Sequence, residues 1–133
     1  MIDKSSKEEE ILRNAAKEYI TDKKVFKIAR KKTALIVIDM QVDFVDKEKG
    51  KLWLPDNSKI LPKLKKLIKT CRQLKMPVIY TTHQHSPTGR DKGFLWDYWN
   101  LDRIGALIEG SPGSEIYPEI APTSADPIIK TKH

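Results

Sequence analysis

Residues 33–39, Thr33-Ala34-Leu35-Ile36-Val37-Ile38-Asp39, constrain the fold more than any other stretch. The run is β-branched and aliphatic, without polar alternation, and it ends on a carboxylate. A half-solvated strand would alternate, and an amphipathic helix would repeat at three to four residues. The run therefore predicts a strand buried on both faces, as in a parallel sheet. Parallel strands need a crossover, usually a helix. Ile60, Leu61, Leu64, Leu67, Ile68, Cys71 and Leu74 recur at helical spacing and predict one over 58–75, these seven forming its apolar stripe. Pro62 falls near the expected start, where it costs little. Met76-Pro77 breaks the helix, and Val78-Ile79-Tyr80-Thr81-Thr82 reads as a second strand. Strand, helix and strand make a right-handed βαβ unit.

The flanks complete the outline. Ser5-Ser6-Lys7-Glu8-Glu9 offers a capping-box start. Ile11, Leu12, Ala15, Ala16, Tyr19 and Ile20 follow as one apolar stripe, and 21–32 reads as a basic connector. This divides the chain into 1–32, an N-terminal helix and connector, and 33–133, the α/β body. Residues 83–122, rich in Gly and Pro, form a long excursion from the C-terminal end of the second strand, where open α/β sheets place ligands. One short helix is expected over 97–105. Residues 126–132 read as a third strand, with Pro127 at its first position.

Charge and cysteine content narrow the function classes. The 133 residues carry a net charge of +7 and one cysteine, Cys71. A basic chain raises nucleic-acid binding, but Lys59, Lys63, Lys65, Lys66, Lys69, Arg72 and Lys75 fit the polar side of the predicted helix. That is a solvated face, without the interleaved aromatics of a phosphate-tracking surface. No apolar run approaches the roughly 20 residues of a membrane span, and no signal peptide precedes the helix. The reading is a soluble cytoplasmic protein that contacts neither nucleic acid nor membrane. A single cysteine excludes an internal disulfide and a cysteine-based zinc cluster.

Asp39 closes a buried strand, where an ionised carboxylate is costly unless paired or used. A turn-forming role is the plainer alternative. Asp43, four residues on, is expected to be more exposed and structural. Lys130 and Lys132 share one face of the third strand. Either could reach a carboxylate on a neighbouring strand, or simply solubilise the chain end. His83 and His85 could present two imidazoles to one metal, but zinc needs three or four ligands and no third is evident by spacing. No metal or cofactor is assigned, and both histidines are taken as substrate-facing or plain loop residues. Trp96, Tyr98 and Trp99 could wall a pocket or staple the excursion to the body. Cys71 lies on the apolar stripe, where a thiol is held protonated and inert.

Three segments together resemble the isochorismatase-like cysteine hydrolase superfamily, which includes nicotinamidases and N-carbamoylsarcosine amidases. They are Thr33 to Phe44, Pro77 to His85, and Glu109-Gly110-Ser111-Pro112-Gly113-Ser114-Glu115-Ile116. The resemblance implies a Rossmann-like, three-layer doubly wound parallel sheet, of which this chain supplies the N-terminal three strands. It also implies a Cys–Lys–Asp triad that hydrolyses an amide C–N bond or a related bond of a small molecule. Asp39 matches the family's acid. Lys132 is the better match to its lysine, with Lys130 the runner-up. Phe44, His83, His85, Trp96 and Trp99 fall where substrate would bind. The Thr-Asn-Val-Cys type of segment that carries the nucleophile has no counterpart here, and Cys71 is on the wrong element to replace it. His83 stands where nicotinamidases place an aspartate, so branches without metal fit better.

The resemblance also implies strands missing beside 35–39, which would leave that strand as an exposed apolar edge. The chain is thus expected to be a truncated or split hydrolase, completed by a C-terminal polypeptide or by homo-oligomerisation. The other expectation is an inactive pseudo-hydrolase that serves as a binding or oligomerisation module.

Overall fold

In a computed structural model of the chain, the structure describes residues 29–91, 93–98 and 101–132. The expected N-terminal helix lies outside these residues, as do Trp99 and all of the connector before Ala29. Its last three residues, Arg30–Lys32, form a 3-10 turn that leads into the sheet.

Three parallel strands, β1 (Leu35–Val37), β2 (Val78–His83) and β3 (Ile128–Thr131), lie in the order β1-β2-β3. Leu35, Ile36 and Val37 pair with Val78, Ile79 and Tyr80. Tyr80 to His83 pair with Ile128 to Thr131. Lys132, expected inside the third strand, lies just past its end. Four helices are described: α1 (Val42–Val45), α2 (Pro55–Gln73), α3 (Phe94–Tyr98) and α4 (Leu101–Ile104). The last two replace the single helix expected over 97–105.

Helix α2 begins three residues before the expected start. Pro55 occupies the first turn, where its fixed φ suits the helix, and Asp56 adds an acid there. Pro62 is therefore an interior proline rather than one near the start. It has no N–H to offer the carbonyl of Ser58. The helix ends as Lys75 takes a positive φ of 55° ahead of Met76-Pro77.

One face of the sheet is packed. Val37, Val78 and Tyr80 meet Leu61, Ile68 and Cys71 of α2, with Met40, Val45 and Ile120 closing the cluster. The other face corrects the expectation that β1 is buried on both sides. Val37 is 2% exposed, but Ile36 is 54% and Ile38 66% exposed, and Ile129 of β3 is also open. The reason is geometric: successive side chains alternate across the sheet, and α2 covers one side only. The α2 stripe is likewise narrower than expected. Ile60, Leu67 and Leu74 lie on its flank and stay about half exposed.

Candidate active site

The ladder between β1 and β2 runs past the end of β1. The Leu35 amide donates to Pro77 O at 2.9 Å, and the Asp39 amide donates to Thr81 O at 3.2 Å. Both bonds follow one parallel register, so Asp39 stands opposite Thr82, and Thr82 pairs with Lys130. Asp39, Thr82 and Lys130 thus form one row at the C-terminal end of the sheet. The row spans two strand spacings, about 9.5 Å between its outer backbones. The Gln84 amide donates to Thr131 O at 3.2 Å, which places Lys132 in a separate row opposite Gln84.

Asp39 leaves the strand with a φ of 49°, an uncommon conformation for a residue with a β-carbon. Its Oδ1 accepts a hydrogen bond from Thr81 Oγ1 at 2.6 Å. The same hydroxyl oxygen lies 3.2 Å from the Asp39 amide. One hydroxyl therefore donates to the Asp39 carboxylate and accepts from its amide, fixing a residue that remains partly open to solvent.

Gln41 was not singled out by the sequence, and it is the most connected side chain here. It is fully buried. Its Nε2 donates to His83 O at 2.9 Å and to Ser114 O at 2.7 Å. Its Oε1 accepts from the His83 amide at 2.8 Å. One amide thereby joins the ends of β1 and β2 to the excursion. The available signal was a neutral polar residue between Met40 and Val42 in an apolar stretch, which must find partners if buried.

Asp43 is buried, not exposed as expected, and its role is structural. Oδ1 accepts from the Lys51 amide at 3.2 Å and Oδ2 from the Leu107 amide at 2.7 Å. A β-carbon on Gly113 would run into this carboxylate. Phe44 packs against the edge of the core.

His83 and His85 come together, with Nε2 facing Nε2 at 2.8 Å. The buried His85 ring meets Trp96 edge to face, centroids 4.4 Å apart. Trp96 is itself buried, so it staples the excursion to β2. Tyr98 instead faces solvent and stacks on Phe94. Among the described residues, no group of three or more His, Cys, Asp or Glu is placed to hold a metal.

Neither lysine meets Asp39 among the described ion pairs. Lys130 Nζ lies 3.1 Å from Glu109 Oε1. Lys132 Nζ lies 3.3 Å from Asp91 Oδ2 and 3.7 Å from Glu109 Oε2. The hydrogen bond from Lys130 is the main reason the Glu109 carboxyl is held below its usual range, with the Lys130 and Lys132 charges adding to it. Burial alone would raise the Asp91 carboxyl; the Ser86 amide and Lys132 outweigh it and hold the carboxyl low. Cys71 is buried in α2, away from this row.

The Isochorismatase domain matches residues 33–133. Two relatives come from Arabidopsis thaliana. One, named as a probable inactive nicotinamidase, is 30% identical over 103 residues, which cover 75% of this chain and 52% of that protein. The other, nicotinamidase 3, is 38% identical over 88 residues, which cover 65% of this chain and 37% of that protein. Among solved structures, a cysteine hydrolase from Pseudomonas syringae pv. phaseolicola is similar with a TM-score of 0.73 at 31% identity, over 84% of this chain and 53% of its own. An N-carbamoylsarcosine amidase from Thermoplasma acidophilum gives a TM-score of 0.61 at 28% identity, over 74% of this chain and 51% of its own. The chain therefore spans about half the length, or less, of the proteins it matches.

Proposed function

The chain belongs to the Isochorismatase domain family, and from that premise we propose that it forms the acid-and-lysine half of a cysteine hydrolase site for a small amide. In this reading Asp39 takes the proton of a thiol supplied from outside these 133 residues. The thiolate adds to the amide carbonyl. As the C–N bond breaks, Asp39 returns the proton to the leaving amine. Water then adds to the thioester and gives its proton to Asp39, and the acid and the thiolate separate. A lysine of β3 holds the developing charges in place.

The observation that carries this reading is the row Asp39–Thr82–Lys130, with Asp39 fixed by Thr81. It favours Lys130 over Lys132 as the lysine. The sequence match favoured Lys132, whereas the register sets Lys130 level with Asp39. His83 borders the same end of the sheet on the substrate side, with the buried His85 and Trp96 packed behind it. The open face at Ile36, Ile38 and Ile129, and the edge of β1 that pairs with no other strand among the described residues, are where a complementing polypeptide or a second copy would seat. A cytoplasmic setting belongs to the same proposal, and no metal or cofactor is assigned. Among the described residues no helix is long and apolar enough to cross a membrane.

A second reading is a catalytically inactive binding module. It is favoured by the engagement of both lysines with Glu109 and Asp91, and one relative is named inactive. The test offers nicotinamide and a panel of small amides and ureido acids to the protein and measures ammonia release. The first reading expects no turnover by the 133 residues alone, and a cysteine-directed electrophile that labels only Cys71 after denaturation. It also expects Asp39→Asn to cut turnover roughly 10²–10⁴-fold in any preparation that has it. Turnover that survives Asp39→Asn would overturn it.

A further inference from the structure

Helix α2 carries Lys59, Lys63, Lys65, Lys66, Lys69 and Arg72 against one acid, Asp56. A groove of about 520 Å³ runs between one flank of α2 and the 3-10 turn Pro118–Ile120. The buried Ile68 and Ile120, with Ala121, form its floor. The lysine stems add apolar wall to it. Two of its cations are committed: Lys65 pairs with Glu119 at 2.8 Å, and Arg72 pairs with Asp126. Lys66 and Lys69 line the same groove, are exposed, and enter no ion pair among the described residues. We propose that this groove docks an acidic amphipathic helix of a partner protein. Its carboxylates would meet Lys66 and Lys69, and its aliphatic side chains would lie over Ile68, Ile120 and Ala121.

Shape, charge and place select this occupant. The lining of α2 extends from Lys65 to Gln73, about 12 Å of helix axis and a little over two turns. An elongated trough with an apolar floor is the form that takes the apolar face of a helix. A purely solvated lysine face would have no such floor beside it.

Lys66 and Lys69 are three positions apart, about 4.5 Å along the axis. Carboxylates at i and i+3 or i+4 of a facing helix recur at a matching interval. A compact anion such as phosphate instead needs donors that converge on one point. Here the two uncommitted cations follow a line, and the other two are held by Glu119 and Asp126. A net charge of +7 draws an acidic partner toward the molecule.

The groove also lies apart from the surface where a complementing half would seat. Arg72 reaches Asp126, just ahead of β3, whereas the unpaired strand edge is that of β1. The open face at Ile36 and Ile38 is the one that α2 does not cover. The proposal therefore stands apart from the hydrolase reading.

The test titrates the full chain into a fluorescein-labelled peptide of about 15 residues, with Leu and Ala on one helical face and Glu on the other. Saturable binding is expected at low salt, weakening by about tenfold or more at about 0.5 M salt. Amide shifts in ¹H–¹⁵N spectra should centre on 65–73 and 119–121. Lys66→Glu with Lys69→Glu should weaken binding by about tenfold or more. Lys31→Glu with Lys47→Glu, exposed lysines outside the groove, change the net charge equally and should weaken it by less than about threefold. Equal weakening by both pairs, or equal binding of a scrambled peptide of the same composition, would reduce the effect to net charge and overturn the proposal. No saturable binding at low salt would overturn it, as would shifts centred on Ile36 and Ile38. Displacement of the peptide by inorganic pyrophosphate at matched ionic strength would make the groove a site for a compact anion and would likewise overturn it.

Discussion

The ends of β1 and β3 lie two strands apart, and they are held by different means. Past β1, Asp39, Gln41 and Asp43 are tied by hydrogen bonds to Thr81, His83, Ser114, Lys51 and Leu107. Most of these bonds reach backbone groups, and Gln41 and Asp43 are buried. At the end of β3, Lys130 within the strand and Lys132 just past it are exposed and held by ion pairs to Glu109 and Asp91. A buried, fully bonded side chain is costly to disturb, whereas an exposed ion pair contributes about 0–1 kcal/mol. The acid side of the row is built into the fold, and the lysine side is left adjustable.

The hardest blow to that contrast falls on Gln41. Gln41→Leu keeps much of the volume but takes the Gln41 amide away from the His83 amide and His83 O, while Ser114 O keeps Gln84 Nε2 at 3.3 Å. Each unsatisfied buried group costs about 1–3 kcal/mol, so the variant should lose about 3 kcal/mol or more in chemical denaturation. A loss below about 1 kcal/mol would mean that the β1 end is no better fixed than the β3 end.

A smaller effect separates the two ends of β3 itself. Just before the strand, Asp126 accepts from Arg72 of α2 at 2.5 Å and from the Thr123 amide and hydroxyl. Burial alone would raise its carboxyl, but the Thr123 bonds and Arg72 outweigh it and hold the carboxyl below its ordinary value. A carboxyl that is lower in the folded than in the unfolded state adds stability above its unfolded value. That stability is lost as pH falls through the folded value. Asp126→Asn should therefore lower the melting temperature at pH 7 and flatten the acid limb below about pH 4. Asp91→Asn, near the other end of the strand, should move the same curve less. Equal flattening by both would show that β3 is held alike at start and end.

The sequence disclosed the parts whose physics is local. A continuous aliphatic run made β1 a parallel strand, and the periodicity of Leu61, Leu64, Ile68 and Cys71 placed α2 against it. The exposure of Ile36 and Ile38 was not legible, because the run states what a strand prefers and not which faces its neighbours cover. Asp39 was legible as a carboxylate that must be used or paired. Thr81 and Gln41 were not, because their roles arise from contacts across about 40 to 70 residues. Asp43 was misjudged for the same reason: its partner Leu107 lies 64 positions away. Lys132 seemed the better lysine by its neighbours in sequence, and only the strand register sets Lys130 level with Asp39.

The finest test uses the lysines separately. Both Nζ atoms sit on Glu109, so either single loss leaves that acid one partner. Lys130→Met and Lys132→Met should each change folding stability by less than about 0.5 kcal/mol, since surface pairs carry little net free energy. They should part in their effect on Glu109. The hydrogen bond from Lys130 is the leading cause of its lowered carboxyl, so Lys130→Met should raise the Glu109 titration more than Lys132→Met in carboxyl ¹³C spectra. A stability loss above about 2 kcal/mol from either variant would mean that the lysine is as fixed as Asp39, and the contrast between the two strand ends would fail. The reverse order on Glu109 would instead make Lys132 the stronger partner, leaving Lys130 freer to turn toward the acid across the row.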